Sequence, residues 1–260
     1  MIEAPQGYIV STECQKATWQ NGYRRKLEQQ DGWARWGSTT AKGSVYLAAG
    51  GPQGPWYLAI DHEGVAAELG LPNSDLLGPA LVRYSFATLS ELYAALSRVY
   101  ALAVSLPDGP LEDFRARTGT MPCSTEAERL IVQRVGQNIF RDALMEYWSG
   151  ACAVLGVTEP RLLRASHIKP WAECETDVER LDVYNGLLLA AHLDAAFDAF
   201  LISFADDGRI ILSDVLTEPD RNTLGLRSDL RLSKFAPAHL PRLAWHRQRL
   251  VSSTTHPEQT

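Results

Sequence analysis

A segment rich in glycine and proline near the middle of the chain limits how this sequence can fold. Between Leu106 and Pro122 it contains Pro107, Gly109, Pro110 and Gly119 as well. Such clusters favour turns and loops over helices and strands. We therefore predict a linker over residues 107–123, a first domain over residues 1–106, a second domain over residues 124–250, and a disordered tail over residues 251–260. The length of 260 residues allows two modest domains.

The first domain is predicted to be a small mixed α/β fold. Two short apolar runs, residues 45–49 and 56–60, flank a segment rich in Gly and Pro, which is typical of two strands joined by a loop. Residues 90–104 carry apolar side chains at helical spacing, and Thr88-Leu89-Ser90-Glu91 matches a capping box at the start. We assign this domain to no known family.

Aromatic residues crowd the first 60 positions and alternate with basic ones. The aromatic residues are Trp19, Tyr23, Trp33, Trp36, Tyr46, Trp56 and Tyr57, and the basic ones are Arg24, Arg25, Lys26 and Arg35. Such a mixture suits a domain that stacks on nucleobases, including a base flipped out of its duplex. Packing in the core of a small β-rich domain explains the same aromatic residues, and the sequence leaves both interpretations open.

The second domain is predicted to alternate short strands with helices. A helix begins at Ser124-Thr125-Glu126-Ala127-Glu128, continues to Trp148 and ends at Ser149-Gly150. Apolar runs predict strands at residues 163–168 and 186–189, separated by a polar loop over residues 169–182. A helix over residues 191–200 and a hairpin of residues 201–204 and 209–212 follow. The core order is therefore strand, loop, strand, helix.

Four polar side chains stand at the ends of these apolar elements. His167 ends the first strand, Asn185 precedes the second, and His192 and Asp194 lie at the start of the helix. One-metal hydrolysis of a phosphodiester bond needs a base, a cation ligand and a group that orients the base. An imidazole, a carboxylate and an uncharged amide suit these three tasks. By themselves, the same residues are also typical of a structural histidine, an Asn-Gly turn and a helix cap.

The order and spacing of several motifs within about residues 129–250 resemble the HNH endonuclease family, of the His-Me finger or ββα-metal type. The core motifs are residues 165–171, 185–189, 192–198 and 201–204. Residues 134–137, 140–141, 150–154 and 243–247 are similar to the flanking segments of a restriction-associated subgroup. The resemblance implies an α+β fold with a C-terminal ββα-metal domain. It also implies a hydrolase that cleaves phosphodiester bonds in DNA, in a restriction or defence setting.

The resemblance assigns roles residue by residue. His167 matches the general base, Asn185 the residue that positions the catalytic loop, and Asp194 a metal ligand on the helix. One divalent cation per active site, Mg²⁺ or Mn²⁺, is implied as the cofactor. Residues that would contact DNA are Lys169, which follows the base, and Gln137 with Arg141, which lie four apart on one helix face.

Two departures from the family pattern concern metal binding. Ser166 stands where many relatives carry an aspartate ligand, and because a hydroxyl is a poor ligand, we expect help from His192, Asp198 or water. The candidate metal ligands are thus Asp194, His192 and Ser166. The paired CxxC motifs of zinc-binding relatives are missing, and the four cysteines are Cys14, Cys123, Cys152 and Cys174. We therefore expect no structural zinc.

Charge and hydropathy bound the partners and the location. A net charge of −6 argues weakly against nucleic-acid binding, because phosphate contacts need Lys and Arg. Residues 221–249 nevertheless hold seven basic residues against one acidic residue, a patch that would steer DNA to one face. The chain has no run of about 18 uncharged apolar residues, and residues 1–10 lack a basic-then-apolar signal pattern. We expect a cytoplasmic protein that is not embedded in a membrane.

Two other functions fit the same sequence. Ser166 and the acidic net charge also suit a DNA-binding module with a degenerate nuclease domain, which would bind DNA in a salt-sensitive way without cleaving it. A nuclease toxin effector, whose N-terminal part docks an immunity or delivery partner, is the third hypothesis. Cutting of both strands would imply a homodimer. The sequence leaves open the recognised site, any base modification, and nicking versus double-strand cutting.

Overall fold

The computed structural model describes residues 2–4 and 6–253 of the chain and divides it into two compact units. Unit 1 is Met1–Gly109 and unit 2 is Pro110–Thr260. Both units combine helices with strands. The α+β fold expected from the sequence is therefore confirmed.

Unit 1 is built on a five-stranded antiparallel sheet. The strands follow sequence order, as β1 (Arg25–Lys26), β2 (Ala34–Gly37), β3 (Ser44–Ala49), β4 (Trp56–Ile60) and β5 (Val82–Phe86). The helices are α1 (Tyr8–Gln20), α2 (Glu63–Leu69) and α3 (Leu89–Ser105). Two predictions are confirmed: β3 and β4 pair across the Gly/Pro-rich loop, and Thr88 and Glu91 form a capping box at α3.

The aromatic side chains of unit 1 form its core. Trp33, Tyr46 and Tyr57 cluster with Ala48 and Ala59 in the sheet. Of the seven aromatic residues singled out in the sequence, Trp19 is half exposed and the other six are buried. A buried ring presents no face to a nucleobase, so the base-stacking interpretation is wrong for these six, and core packing explains them.

The linker predicted over residues 107–123 is wrong for most of its length. Residues Asp108–Thr118 form a helix, α4, in which Phe114 is buried. Pro110 lies in the first turn, where a missing N–H costs nothing because the first N–H groups of a helix have no partner within it. Gly119 follows the last residue of α4. Glycine and proline thus mark the limits of a helix here.

Unit 2 has a long helix, two hairpin-like strand pairs and several short helices. The long helix is α5 (Glu126–Tyr147), which begins within the predicted segment and is capped by Thr125 and Glu128. The later elements are β6 (Leu163–His167), α6 (Asp177–Leu181), β7 (Gly186–Ala190), α7 (Ala191–Asp198), β8 (Ile202–Phe204), β9 (Ile210–Leu212), α8 (Glu218–Thr223) and α9 (Leu240–Arg247). Strand β6 pairs with β7 and β8 with β9, both antiparallel. The predicted order is confirmed, although the polar loop also contains α6.

Helix α5 and strand β7 approach each other closely at Gly186. A Cβ atom on Gly186 would lie 2.5 Å from Phe140 and 2.8 Å from Leu144, so a larger residue would push the helix away. Asn185 ends a 3-10 turn, and Gly186 begins β7 with an extended backbone. The segment therefore forms the turn that the sequence suggests, and Gly186 makes a close packing contact as well.

The first three residues of the tail predicted to be disordered, 251–253, form hydrogen bonds with other residues of unit 2. The N–H of Val251 donates to the carbonyl of Phe200 at 2.9 Å, and the hydroxyl of Ser213 donates to the carbonyl of Val251 at 2.6 Å. Ser253 binds Asp214 through its N–H and its hydroxyl. The prediction is wrong for residues 251–253, and residues 254–260 lie outside the described residues.

No single helix in residues 2–4 and 6–253 is long and apolar enough to cross a membrane, although the bent pair of α3 and α4 passes that test by length and composition. Seven residues of α3 are buried within unit 1.

Candidate active site

Strands β6 and β7 bring the polar residues of unit 2 together. In their register His167 lies opposite Gly186, so the end of β6 meets the start of β7. Asn185 directly precedes β7, and α7 directly follows it. Side chains alternate along a strand, so His167 and Ser166 point to opposite faces of β6. His167 contacts α5, and Ser166 contacts α7.

His167 is held by two aromatic rings and a backbone carbonyl. Its ring stacks on Phe140 with the centroids 3.8 Å apart, and meets the ring of Trp171 edge-on at 5.6 Å. Its Nε2 atom lies 2.9 Å from the carbonyl oxygen of Arg180. A carbonyl only accepts, so Nε2 carries the proton, and Nδ1 is the basic nitrogen of the neutral ring.

Burial sets the charge of this histidine. It lowers the pKa of His167 to about 4, although the hydrogen bond to the Arg180 carbonyl acts in the opposite direction. The imidazole is therefore neutral at neutral pH. A buried ring of this kind is a weaker base than an exposed imidazole. At neutral pH, however, the ring is unprotonated in nearly every protein molecule and can accept a proton.

Asn185 ties the loop over residues 169–182 to the strands. It is fully buried, and its Oδ1 accepts from the N–H of Lys169 at 2.9 Å. Its Nδ2 donates to the carbonyls of Lys169 at 3.1 Å and Glu179 at 3.3 Å. These bonds fix both ends of the loop that carries the Arg180 carbonyl. They suit the positioning role that the resemblance implies.

Two aspartates of α7 and a serine of β6 form a group of oxygen atoms on the other face of the strand. Asp194 and Asp198 are four residues apart, so their carboxylates share one side of the helix. The buried Ser166 donates to Oδ1 of Asp198 at 3.3 Å. Burial raises the pKa of both aspartates, and the charge of Asp194 raises the pKa of Asp198 further, while hydrogen bonding to Ser166 lowers both.

This oxygen group suits a small divalent cation. Carboxylate and hydroxyl oxygens are hard ligands of the kind that Mg²⁺ and Mn²⁺ prefer, and a cation would offset the repulsion between the two carboxylates. Within the described part of the chain, no three His, Cys, Asp or Glu side chains meet to hold a metal. Water and substrate oxygens would therefore fill the remaining positions, as they commonly do around Mg²⁺.

His192, a predicted metal ligand, does not join this group. It lies two residues before Asp194 on α7, which turns it to the opposite side of the helix, and it is exposed. Asp198, which the sequence offered as a substitute ligand, is the residue that contacts Ser166. The prediction for His192 is wrong because a helix returns to the same side after four residues and not after two.

A cleft of about 300 Å³ lies beside the end of β6. His167 and Asp198 both line it, together with Pro170, Trp171, Phe200 and His246. The base and one cation ligand therefore open onto the same space. A base beside a bound cation is the minimal arrangement for hydrolysing a phosphate ester.

Residues 152–205 match a family model described as HNH endonuclease. The matched segment, about a fifth of the chain, contains β6, β7 and α7 with the polar residues described above. This segment belongs to the HNH endonuclease family. The recognition made from the motifs is thereby confirmed at the level of the family. No curated protein matches the chain.

The HNH domain defines the class of reaction. It implies a nuclease-type hydrolase whose substrate is DNA, and HNH nucleases generally use a divalent metal ion. The oxygen group of Ser166, Asp194 and Asp198 is where this HNH domain offers ligands of the required kind.

Two of the three residues predicted to contact DNA are held by bonds within the HNH domain and its neighbouring helix. Lys169 forms an ion pair with Glu179 at 2.9 Å. Arg141 donates to the carbonyls of Leu163 and Pro160, both at 2.9 Å, and so holds the start of β6. Lys169 and Arg141 therefore have structural roles, and their contacts with DNA stay predictions. Gln137 lies half-buried on α5, and its contact with DNA stays a prediction.

The basic stretch over residues 221–249 is also largely used inside unit 2. Arg242 pairs with Asp182, Arg247 with Asp206, and Arg227 with Asp229. Arg221 donates to the carbonyl of Ser213, and Arg249 stacks on Trp245. The guanidinium groups of these five arginines already contact carboxylates, a carbonyl or an aromatic ring of unit 2. These arginines therefore do not form the free basic face that the sequence suggests.

Sequence reasoning missed the residues that surround the base. Arg180 reaches His167 through its backbone carbonyl, which every residue possesses, so no side-chain pattern could have singled it out. Phe140 was detectable in principle. It lies four residues after Gly136 on α5, and both face the site, Phe140 against His167 and Gly136 against Trp171.

Gly136→Ala is expected to destabilise unit 2, although Ala normally stabilises a helix by about 1 kcal/mol relative to Gly. The new Cβ would lie 2.6 Å from the ring of Trp171 and 3.2 Å from Phe114, and overpacking of this kind costs about 1–3 kcal/mol. Urea unfolding would measure the change. Asn138→Ala, at an exposed position of α5, is the matched control and should be neutral or slightly stabilising. A more stable Gly136→Ala protein would contradict the contact.

Proposed function

We propose that unit 2 is a DNA endonuclease that depends on one divalent cation, Mg²⁺ or Mn²⁺, and uses His167 as its general base. The observation that carries this proposal is the shared cleft, which both His167 of β6 and Asp198 of α7 line. We further propose a restriction or defence role. Its support is the similarity of residues 134–137, 140–141, 150–154 and 243–247 to the restriction-associated subgroup.

In this proposal His167 accepts the proton of the attacking water at Nδ1, because Nε2 is bonded to the carbonyl of Arg180. The lowered pKa of His167, about 4, keeps the ring ready for that step at neutral pH. Asn185 supports the step indirectly, since it holds the loop that carries the carbonyl.

Asp194, Asp198 and Ser166 would hold the cation. When bound, the cation supplies charge stabilisation to the scissile phosphate and to the leaving oxygen. The chain contributes two carboxylates that are one turn apart on α7. Helix geometry keeps them close although the charge of Asp194 raises the pKa of Asp198. The hydroxyl of Ser166 fixes one of them by a hydrogen bond.

Unit 1 is proposed to select the DNA target. The support is strand β1, where Arg25 and Lys26 are exposed while the neighbouring aromatic residues are buried. Basic side chains of this kind bind phosphates without reading sequence, so they would orient the duplex. Cutting both strands with one cation site per chain would take two copies related by two-fold symmetry. A restriction role would place the enzyme in the cytoplasm.

A plasmid cleavage assay tests the proposal. It compares unmodified with cytosine-modified DNA in the presence of Mg²⁺, Mn²⁺ or EDTA. We expect nicking or cutting with a divalent cation and none with EDTA. His167→Ala should lose roughly 10²–10⁴-fold in rate, the usual contribution of a general base, and should still bind DNA.

Each result of this assay points in one direction. Equal cleavage by the wild type and His167→Ala would reject His167 as the base. Salt-sensitive binding without any cleavage would favour the DNA-binding module with a degenerate nuclease domain. A preference for one plasmid would identify the modification that the protein distinguishes.

A further inference from the structure

Arg180 contacts the candidate active site through both its backbone and its side chain. Its carbonyl oxygen accepts from Nε2 of His167 at 2.9 Å. Its guanidinium lies over the ring of Trp171, with Cζ 5.8 Å from the ring centroid. Trp171 in turn meets the His167 ring edge-on. One residue thus touches the base directly and also supports the ring beside it.

The guanidinium also binds three other residues of the loop over residues 169–182. It donates to the carbonyl of Cys174 at 2.6 Å, to the carbonyl of Trp171 at 3.3 Å and to the carboxylate of Asp177 at 3.0 Å. A planar group with donors in fixed directions can satisfy all three acceptors together. The point charge of a lysine lacks this fork of donors.

Helix α6, which carries Arg180, is too short to hold the carbonyl by itself. It has five residues, and isolated helices of this length do not persist in water. Thr176 caps its first turn, and Asn185 binds the carbonyl of Glu179. At the next residue, the N–H of Arg180 donates to the carbonyl of Thr176 at 3.0 Å, and its side chain adds the bonds to the carbonyls of Trp171 and Cys174.

We propose that Arg180 is the positioning residue that sets the tautomer of His167, so that Nδ1 and not Nε2 takes the proton from water. The inference rests on the proposed function, because it assigns a role relative to the base. Loss of the Arg180 side chain frees the carbonyl and loosens the support of Trp171. The His167 ring then exchanges between tautomers and becomes hydrated.

The test combines NMR of protein labelled with ¹⁵N-histidine with the rate of plasmid cleavage at neutral pH. The two neutral tautomers differ in which ring nitrogen is protonated, so they give different ¹⁵N signals, and His167→Gln identifies the signals of His167. The wild type should show one tautomer with the proton on Nε2. Arg180→Ala should show a mixture of the two neutral tautomers, because the carbonyl that accepts from Nε2 is no longer held in place.

Cleavage by Arg180→Ala should slow as well. At neutral pH the rate should fall roughly 10–100-fold, as is usual when the partner that orients a functional imidazole is lost. Arg180→Lys should show the same changes to a smaller extent, because it restores charge but not the fork.

Arg117→Ala is the matched control. Like Arg180, Arg117 pairs with an aspartate of its own helix, Asp113, but it lies on exposed α4. Its variant should keep the wild-type ¹⁵N pattern. A wild-type ¹⁵N pattern in folded Arg180→Ala would overturn the inference, and if that variant does not fold, the same result in Arg180→Lys would overturn it. The NMR readout needs no cleavage, so failure of the inference and failure of the nuclease are seen separately.

Discussion

Asp198→Asn is expected to abolish metal-dependent cleavage and, at the same time, to stabilise the protein in the absence of metal. Burial and the charge of Asp194 raise the pKa of Asp198. Ionising this carboxyl group therefore costs more free energy in the folded protein than in the unfolded chain. A group with a raised pKa favours the fold at low pH, and this contribution is lost as the pH rises through the folded pKa. At neutral pH without metal, the charge is therefore a cost that asparagine removes.

Thermal unfolding and plasmid cleavage together measure this prediction. In EDTA, the Tm of Asp198→Asn should exceed that of the wild type. Added Mg²⁺ or Mn²⁺ should raise the Tm of the wild type much more than that of the variant, because a ligand stabilises only the state that binds it. The cleavage rate should fall roughly a hundredfold or more.

His192→Ala distinguishes the metal ligand predicted from the sequence, His192, from the ligand that the structure indicates, Asp198. His192 lies on the same helix as Asp198, but two residues before Asp194 and on the opposite side from it. Its variant should keep both cleavage and the rise of Tm with metal. Loss of both in His192→Ala, with Asp198→Asn unaffected, would restore His192 as the ligand and remove Asp198 from the site.

The second large effect expected is unfolding in mild acid. Burial lowers the pKa of His167, His239 and His246 to about 4 each. Their folded pKa values lie below the unfolded value of 6.5, so their contribution to stability is complete above pH 6.5 and is lost as the pH falls toward 4. Each one accounts for at most about 3 kcal/mol. Three together are comparable with the whole stability of a typical domain.

Tm values recorded in EDTA between pH 8 and pH 4 would show this loss. Asp194 and Asp198 act in the opposite sense, because their pKa values are raised, so the acid loss should steepen in Asp198→Asn. His246→Gln keeps hydrogen-bonding atoms without a titrating ring, and should lower the Tm at pH 8 but flatten its decline with acid. A Tm that stays constant from pH 7 to pH 4.5 would contradict the burial of all three rings.

Local patterns predicted most elements of unit 2 because those elements depend on local rules. The capping box at Thr125 and Glu128 and the apolar runs of β6 and β7 need no distant partner to be identified. Family motifs then placed His167, Asn185 and Asp194, which the structure brings to the two paired strands and the helix that follows.

The failures concern what a side chain contacts across the fold. Lys169 and Arg141 have the chemistry for DNA, and nothing local reveals that Glu179 and the carbonyl of Leu163 engage them first. The aromatic residues of unit 1 suited stacking equally well until the sheet buried them. The linker prediction failed for a different reason. Pro110 and Gly119 were interpreted correctly as residues that limit helices, but the chain between them is long enough to form a helix.

The contacts of His246 bear on whether the HNH segment can be moved between proteins. His246, from α9, stacks on Phe197 of α7 with the ring centroids 3.8 Å apart, and it also bonds Ser203 and the carbonyl of Phe197. It lies outside residues 152–205, yet it covers the helix that carries Asp194 and Asp198. A transplant limited to the family segment would leave that helix uncovered, so the smallest portable nuclease module has to extend through α9.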